Sequence, residues 1–469
     1  MKYKICKHKI ILITLLIFPS IIFGCLRRIP EGISLASDFY RVESNQVQFL
    51  RDMTFMQDST RIVDQQIYPK VYDLIDSAEQ FLVLDIFLFI ETSIDTNPEW
   101  IPTTTLLTNK LVQKKKNNPD MPIYFITDEF NIFYYSHKNK HLEQMKEAGI
   151  EVIMTNMAKL RDSHQPYSLF WRLIPRWFGN PNYQGWLPNP FTEPKEDIAI
   201  RSYLKLLNFK ANHRKIILSE KEAIITSANP HSASSLHSNI GFRMEGEILQ
   251  DILFSEKAIA KLSGSSIDIE FSPQPTTGPI KIQYITEQKI QKSLLSNIEQ
   301  LDASDSLDIG VFYISDRKIV KALKKARERQ AGIRILLDAN KDAFGKEKNG
   351  IPNRQVAWEL HKAGIPIRWA NTHGEQFHTK MAIFTEPDSV VIIGGSANFT
   401  KRNLGNKNLE ANIAIKAPRR ESISQEVKQY FHSLWQHEKY SLPFEAYKET
   451  STLKYWLYRY QEFTGASTF

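Results

Sequence analysis

Cysteine is almost absent from the 469-residue chain: Cys6 and Cys25 are the two it has. That excludes a disulfide framework, and beyond residue 25 it excludes cysteine-based zinc sites and a cysteine nucleophile. Long apolar runs are equally scarce. The one near the start, residues 10–23, is interrupted by Thr14, Pro19 and Ser20. It falls short of the roughly 20 apolar residues that a comfortable membrane span needs. A strong charge bias is also missing. The formal net charge is +8, and Lys2, Lys4, Lys7 and Lys9 all precede the apolar run, so about +4 remains beyond it. So mild a bias suits an anionic membrane surface or a phosphate substrate and does not demand nucleic acid. Clustered metal-ligand spacing is lacking, so neither a metal nor another cofactor is expected. What remains, 42% hydrophobic and 24% charged, is the composition of a globular protein long enough for two domains.

The basic-then-apolar start has the design of a secretory signal. It ends in Gly24 and Cys25. This resembles a bacterial lipoprotein signal, which implies removal of residues 1–24 and lipidation of Cys25, although Phe23 stands where a small residue is usual. The expected location is extracytoplasmic, on a membrane held through that N-terminal lipid.

Beyond the leader the chain repeats itself. "NHRKIILS" (212–219) and "FHTKMAIF" (377–384) each place a His two residues before a Lys at the head of an apolar run. Four further stations recur in the same order: "VLDIFLF" (83–89) with "SLDIGVF" (306–312), "MPIYFITDEF" (121–130) with "AGIRILLDAN" (331–340), "KEAGIEV" (146–152) with "HKAGIPI" (361–367), and "ITSANP" (225–230) with "GGSANF" (394–399). Ordered self-similarity marks two copies of one unit, and apolar strands alternating with amphipathic helices read as α/β sandwiches. The organisation expected is a lead-in over 25–60, a first repeat over 61–270, a Pro-rich linker over 271–280, a second repeat over 281–440 and a tail over 441–469.

One interval breaks the symmetry. Gly149 and His213 are 64 residues apart, Gly364 and His378 only 14, so the first copy carries an insertion of about 50 residues near 155–207. Its stretch "FWRLIPRWF" sets Trp171 and Trp177 beside Arg172 and Arg176. These four are candidate substrate contacts, since aromatic and Arg side chains together suit lipid chains and phosphate headgroups. Pro175 argues against one unbroken helix, and Pro181, Pro188 and Pro190 favour an irregular lid that borders the cleft and touches the membrane. Packing against the core of the first copy is the alternative for the same aromatics.

The paired motifs resemble the phospholipase D superfamily. Its elements map onto His213, Lys215, Ser227 and Asn229 in the first copy, and onto His378, Lys380, Ser396 and Asn398 in the second. The resemblance implies two α/β/α sandwich repeats packed about a pseudo-twofold axis in one monomer, and metal-independent phosphodiester cleavage. One His forms a phosphohistidine, the other serves as acid and then base, and the lysines and asparagines stabilise the charged oxygens. The family's motif Asp is replaced by Glu220 and Thr385, with Asp388 out of register, and a supporting role is expected there. A later carboxylate, which orients a His, is Glu410 in the second copy; the aligned position in the first is Gly241. That favours His378 as the better-oriented base and leaves the choice of nucleophile open. His231 and His237 read as loop residues, His164 in the insertion as solvent-facing or lid-associated, and Asp85 and Asp308 as turns or caps of strand-associated segments, with lining of the cleft as the alternative.

The resemblance points first to a phospholipid substrate, through phosphatidyl transfer as in cardiolipin synthases or through hydrolysis. A secreted nuclease is the alternative, with nucleic acid as a less favoured substrate. A non-catalytic surface lipoprotein is a third.

Overall fold

A computed structural model describes residues 29–91, 97–178, 185–189, 196–343, 346–467 and 469. The leader, Cys25 and parts of the insertion lie outside the described residues. Among those described, no helix is long and apolar enough to cross a membrane.

Two large sheets account for the two copies. The first has eight strands in the order Thr60–Gln65, Val47–Gln57, Asn239–Met244, Ala223–Thr226, Lys215–Ser219, Leu82–Ile86, Ile123–Asp128 and Glu151–Thr155. The second has nine: Tyr40–Val42, Ile280–Thr286, Ala411–Pro418, Ser389–Gly395, Lys380–Thr385, Ser306–Val311, Gly332–Leu337, Ile367–Ala370 and Ser441–Pro443. In each, three strands run parallel and the strand that starts at the motif Lys joins them antiparallel. This shared topology is the α/β fold of two phospholipase D-like repeats that the sequence pattern anticipates. The central strands are mostly apolar and buried, as in LVLDI with its single Asp85, because helices or the other sheet cover both faces.

The helices follow their stripes. Arg317–Glu328 starts at Asp316, whose carboxylate accepts the Lys318 and Ile319 N–H groups, and it buries Ile319, Val320, Leu323 and Ala326. Between the sheets lies one continuous core. Ile216, Leu218, Ile225 and Phe242 of the first sheet share it with Met381, Ile383, Ile392 and Ile413 of the second.

The ends belong to the repeats more than composition suggests. Val47–Gln57 pairs with Asn239–Met244 inside the first sheet, and Tyr40–Val42 pairs with Ile280–Ile282 at the edge of the second. Residues 25–60 therefore include structural strands rather than only a lead-in. Residues 441–469 likewise add an edge strand and the helix Thr452–Thr464, whose Tyr458 is buried in the second core. Backbone pairing on an open sheet edge, which composition does not report, is the reason in both cases.

The residue between His213 and Lys215 points the other way. Arg214 is fully buried and binds Glu256 at 2.8 Å and Glu287 at 2.7 Å, with Ser255 at 2.9 Å. The hydroxyl of its counterpart Thr379 meets the Tyr430 hydroxyl at 3.4 Å and no charged group among the described residues. Arg214→Ala would leave two carboxylates buried without their cation. It should cost about 3–5 kcal/mol in chemical denaturation, whereas Thr379→Ala should cost less than about 1 kcal/mol.

Candidate active site

Each motif His sits just before its strand, where its backbone is held by the other repeat. The His213 N–H donates to the Leu409 carbonyl at 2.9 Å, and the His378 N–H donates to the Ser238 carbonyl at 2.8 Å. The residues following those carbonyls are Glu410 and Asn239. The Glu410 carboxylate meets Nδ1 of His213 at 3.0 Å, and the Asn239 Oδ1 meets Nδ1 of His378 at 3.1 Å. Both imidazoles are thus oriented across the pseudo-twofold, each by a side chain of the opposite copy.

This corrects the sequence alignment. Gly241 is not the counterpart of Glu410, and Glu410 does not orient His378. The Ile240 N–H bonds Ser227 Oγ and the Ala411 N–H bonds Ser396 Oγ, both at 3.0 Å, so Asn239 and Glu410 are equivalent. The loop after Asn398 is two residues longer than the loop after Asn229, and an ungapped reading slips by that amount. The paired strands were legible in sequence; the exchange between copies was not, because it is a contact between chain segments far apart. Asn239 had no carboxylate to flag it.

The remaining motif residues converge symmetrically. Lys215 Nζ donates to the His213 carbonyl at 2.7 Å and Lys380 Nζ to the His378 carbonyl at 2.6 Å. Phe87 lies against His213, ring centroids 4.9 Å apart, with Lys215 Nζ 5.1 Å from its centre. Phe312 repeats this with His378 at 5.1 Å and Lys380 at 5.1 Å. Ser227 and Ser396 hydrogen-bond Asn239 at 3.2 Å and Glu410 at 2.5 Å, so they brace the orienting side chains. Asn403 adds a further bond to Glu410. Asn229 and Asn398 each hold a buried Oδ1 with no hydrogen-bond partner among the described residues. Buried amides are normally satisfied, so two orphans at equivalent positions of the two copies describe a site built for a polar guest.

Electrostatics agree. Burial pulls His213 down to about 4 against the opposing pull of Glu410, and burial with the nearby Lys380 holds His378 well below the usual imidazole range. Burial lowers Lys215 to about 7, and burial with Lys215 beside it holds Lys380 well below the usual ammonium range. Clustered, desolvated cations of this kind are stabilised by an anion.

Two further carboxylates support the motif strands. Asp128 accepts the Asn212 N–H at 2.7 Å and Asp338 the Phe377 N–H at 2.8 Å. Burial raises them to about 7 and about 6. They are the acids that end the repeated strands in the sequence, a signal that reads there only as a turn. Glu220 accepts N–H groups of Glu79, Gln80 and Phe81 on a neighbouring turn, Thr385 ends its strand, and Asp388 lies in the turn that follows. Asp85 binds Asn212 at 2.7 Å, and Asp308 pairs with Arg334 at 2.8 Å. His231 and His237 lie on the buried 228–238 loop, with the His237 ring 5.9 Å from that of His378. His164 stands at the N-terminus of the helix Gln165–Leu173.

That helix stops before Pro175, as expected. Trp171, Arg172, Arg176 and Trp177 line an open pocket of about 470 Å³ whose wall includes Asp128, the residue that holds Asn212. Arg201 and Lys205 also face it, and Arg172 is paired with Asp162 at 2.5 Å. Trp177 and Phe178 are exposed, so they do not close the core of the first copy.

The sequence profile of the family described as "Cardiolipin synthase, PLD-like domain" matches residues 295–435. That stretch, most of the second repeat, is thus a phospholipase D-like domain. The phosphatidylserine synthase of Haemophilus influenzae Rd KW20 has a similar structure, with TM-score 0.57, 9% identity, and 92% of this chain and 93% of that one covered. At such identity the likeness is one of fold. The phospholipase D family member Nuc of Salmonella typhimurium aligns with TM-score 0.28 at 18% identity, over 35% of this chain and 99% of its own. A search of curated proteins by sequence finds no match.

Because burial lowers Lys215 to about 7, an anion that stabilises its charged form must bring a proton with it at higher pH. Calorimetry of inorganic phosphate binding at pH 8, in buffers of different ionisation enthalpy, should register net proton uptake. Lys215→Met should reduce it by up to about one proton. Equal values in the two proteins would separate Lys215 from the anion.

Proposed function

We propose that this phospholipase D superfamily protein is a phosphatidyltransferase that cleaves a phospholipid headgroup diester through a phosphohistidine. The observation that carries the reading is the exchanged pair His213–Glu410 and His378–Asn239. With Nδ1–H committed to Glu410, neutral His213 presents the Nε2 lone pair, and the carboxylate stabilises the positive charge its ring acquires on attack. His213 is therefore the nucleophile. His378 is held by a neutral amide, so its imidazolium has no carboxylate to hold the proton and gives it up readily. The bound diester's negative charge favours protonated His378 on arrival.

In the first step, Nε2 of His213 bonds to phosphorus as the P–O bond to the leaving group breaks, and His378 passes its proton to the departing alkoxide. In the second step, neutral His378 takes the proton of an acceptor hydroxyl, whose oxygen bonds to phosphorus as the P–N bond breaks. Lys215, Lys380, Asn229 and Asn398 supply donors to the non-bridging oxygens in both steps.

The description of the matching family, as a cardiolipin synthase domain, supports a lipid substrate. Transfer is favoured over hydrolysis by the pocket beside Asn212, where Arg176, Arg201 and Trp171 suit a second phosphate-bearing headgroup. Mixed phospholipids with purified protein should yield a transfer product. His378→Ala should accumulate radiolabelled phosphoprotein with turnover reduced about 10³-fold, and His213→Ala should accumulate none. Arg176→Ser with Arg201→Ser should shift products from transfer to hydrolysis. Label on the His213→Ala protein would reverse the two histidine roles, and plasmid cleavage with lipids untouched would replace the lipid reading.

We further propose an extracytoplasmic, membrane-held protein with lipid on Cys25. Metabolic fatty-acid labelling should mark the wild type and be lost in Cys25→Ala; equal labelling would refute the anchor.

A further inference from the structure

The helix Thr452–Thr464 has one face buried and the other bare. Tyr458 packs in the second core, and Glu462 accepts the Ser315 hydroxyl at 2.7 Å. The outer face carries Leu453, Trp456, Leu457, Tyr460 and Phe463, spaced as a single helical stripe. Leu453 is 81% exposed, Phe463 78% and Trp456 65%. An apolar stripe so exposed marks an interaction surface.

A second bare patch lies on the insertion, where Trp177 and Phe178 are 68% and 69% exposed, with Leu173 and Ile174 beside them. The end of the C-terminal helix adjoins the start of the insertion helix. Gly465, directly after the C-terminal helix, packs so closely that a Cβ there would lie 1.9 Å from the Ser163 carbonyl oxygen. His164 is the residue that opens the insertion helix. Arg402 spans the seam, donating to the Gly465 carbonyl at 3.3 Å with its guanidinium 5.2 Å from the Phe209 ring centre. Its neighbour Asn403 bonds Glu410, so the seam runs beside the candidate active site.

Charge chooses the occupant. Lys401 Nζ lies 5.7 Å from the Phe463 ring centre, and the Arg176 guanidinium lies 4.4 Å from that of Trp177. Aromatic side chains flanked by cations are the pattern of the bilayer interface, with rings at the headgroup boundary and basic groups on anionic phosphates. Pro30 and Glu31 lie on this side too. Lys159 lines both the insertion pocket and a shallow pocket bordered by Pro30, Glu31 and Phe254.

We infer that the outer face of Thr452–Thr464 and the insertion patch together form one docking surface for an anionic phospholipid bilayer. They settle the protein with the seam beside Glu410 facing the lipid. The surface deepens the lipid reading above, but its readout is binding, so its failure and that of the catalytic reading are distinguishable.

The test uses the full chain carrying Cys25→Ala and flotation with phosphatidylcholine vesicles, with or without phosphatidylglycerol. Binding should be stronger with phosphatidylglycerol and weaken with salt. Trp456→Ser with Phe463→Ser should lower partitioning at least about tenfold, and Leu173→Ser with Phe178→Ser should do likewise. Phosphate binding at the histidine site should persist in both. Brominated lipid should quench tryptophan emission of the protein with its face intact, a readout that needs no mutant to fold. Unchanged partitioning in the Trp456 and Phe463 variant, or no quenching, overturns the inference. So does a dimer lost on the same substitution, which would make a second copy the occupant.

Discussion

The backbone N–H of His213 ends on Leu409, that of His378 ends on Ser238, and the next residue along each receiving segment holds the imidazole. Neither repeat can place its own histidine without the other. The continuous core between the sheets, from Ile216 and Phe242 to Met381 and Ile413, keeps those two exchanges in register. A slip of one strand residue would turn Lys215 and Lys380 away from the cleft, because side chains alternate along a strand. The site is therefore as rigid as the interface that builds it.

Burial sets the chemistry. Two lysines and two histidines share a desolvated space, with Glu410 as the carboxylate on His213, so protons are held loosely until an anion arrives. The second buried charge cluster, Arg214 with Glu256 and Glu287, works on the other face of the same strand. Glu287 also accepts the Glu410 N–H at 3.1 Å. An ion pair that anchors the motif strand thus also fixes the residue that orients His213. The copies differ here: Thr379 replaces Arg214 and Asn239 replaces Glu410. Near symmetry in backbone coexists with a division of labour in charge.

The decoration lies where it can act on that centre. The insertion lengthens the first repeat directly before His213, and the C-terminal helix closes the second repeat against the insertion's first turn. Both present aromatic side chains outward that the hydrophobic effect would otherwise draw inward. Each element still has an anchored side, Tyr203 and Leu206 with the Phe133 cluster for the insertion and Tyr458 for the C-terminal helix.

The sequence by itself determined the two repeats, the strands that carry His-x-Lys, and the residues Ser227, Asn229, Ser396 and Asn398 around them. Those follow from local periodicity and from a pattern that occurs twice. It also marked the insertion, through one unequal interval. Only the tertiary structure decided which carboxylate serves which histidine. Glu410 lies 32 residues after His378 and 197 after His213, and proximity in sequence favours the wrong partner. The pseudo-twofold packing reverses that preference, because docking two sheets face to face brings the start of one copy's last strand against the other copy's motif. Edge pairing by Tyr40–Val42 and Ser441–Pro443, and the bare face of the last helix, escaped for the same reason: backbone partners and exposure are properties of the assembled fold, not of any segment's composition.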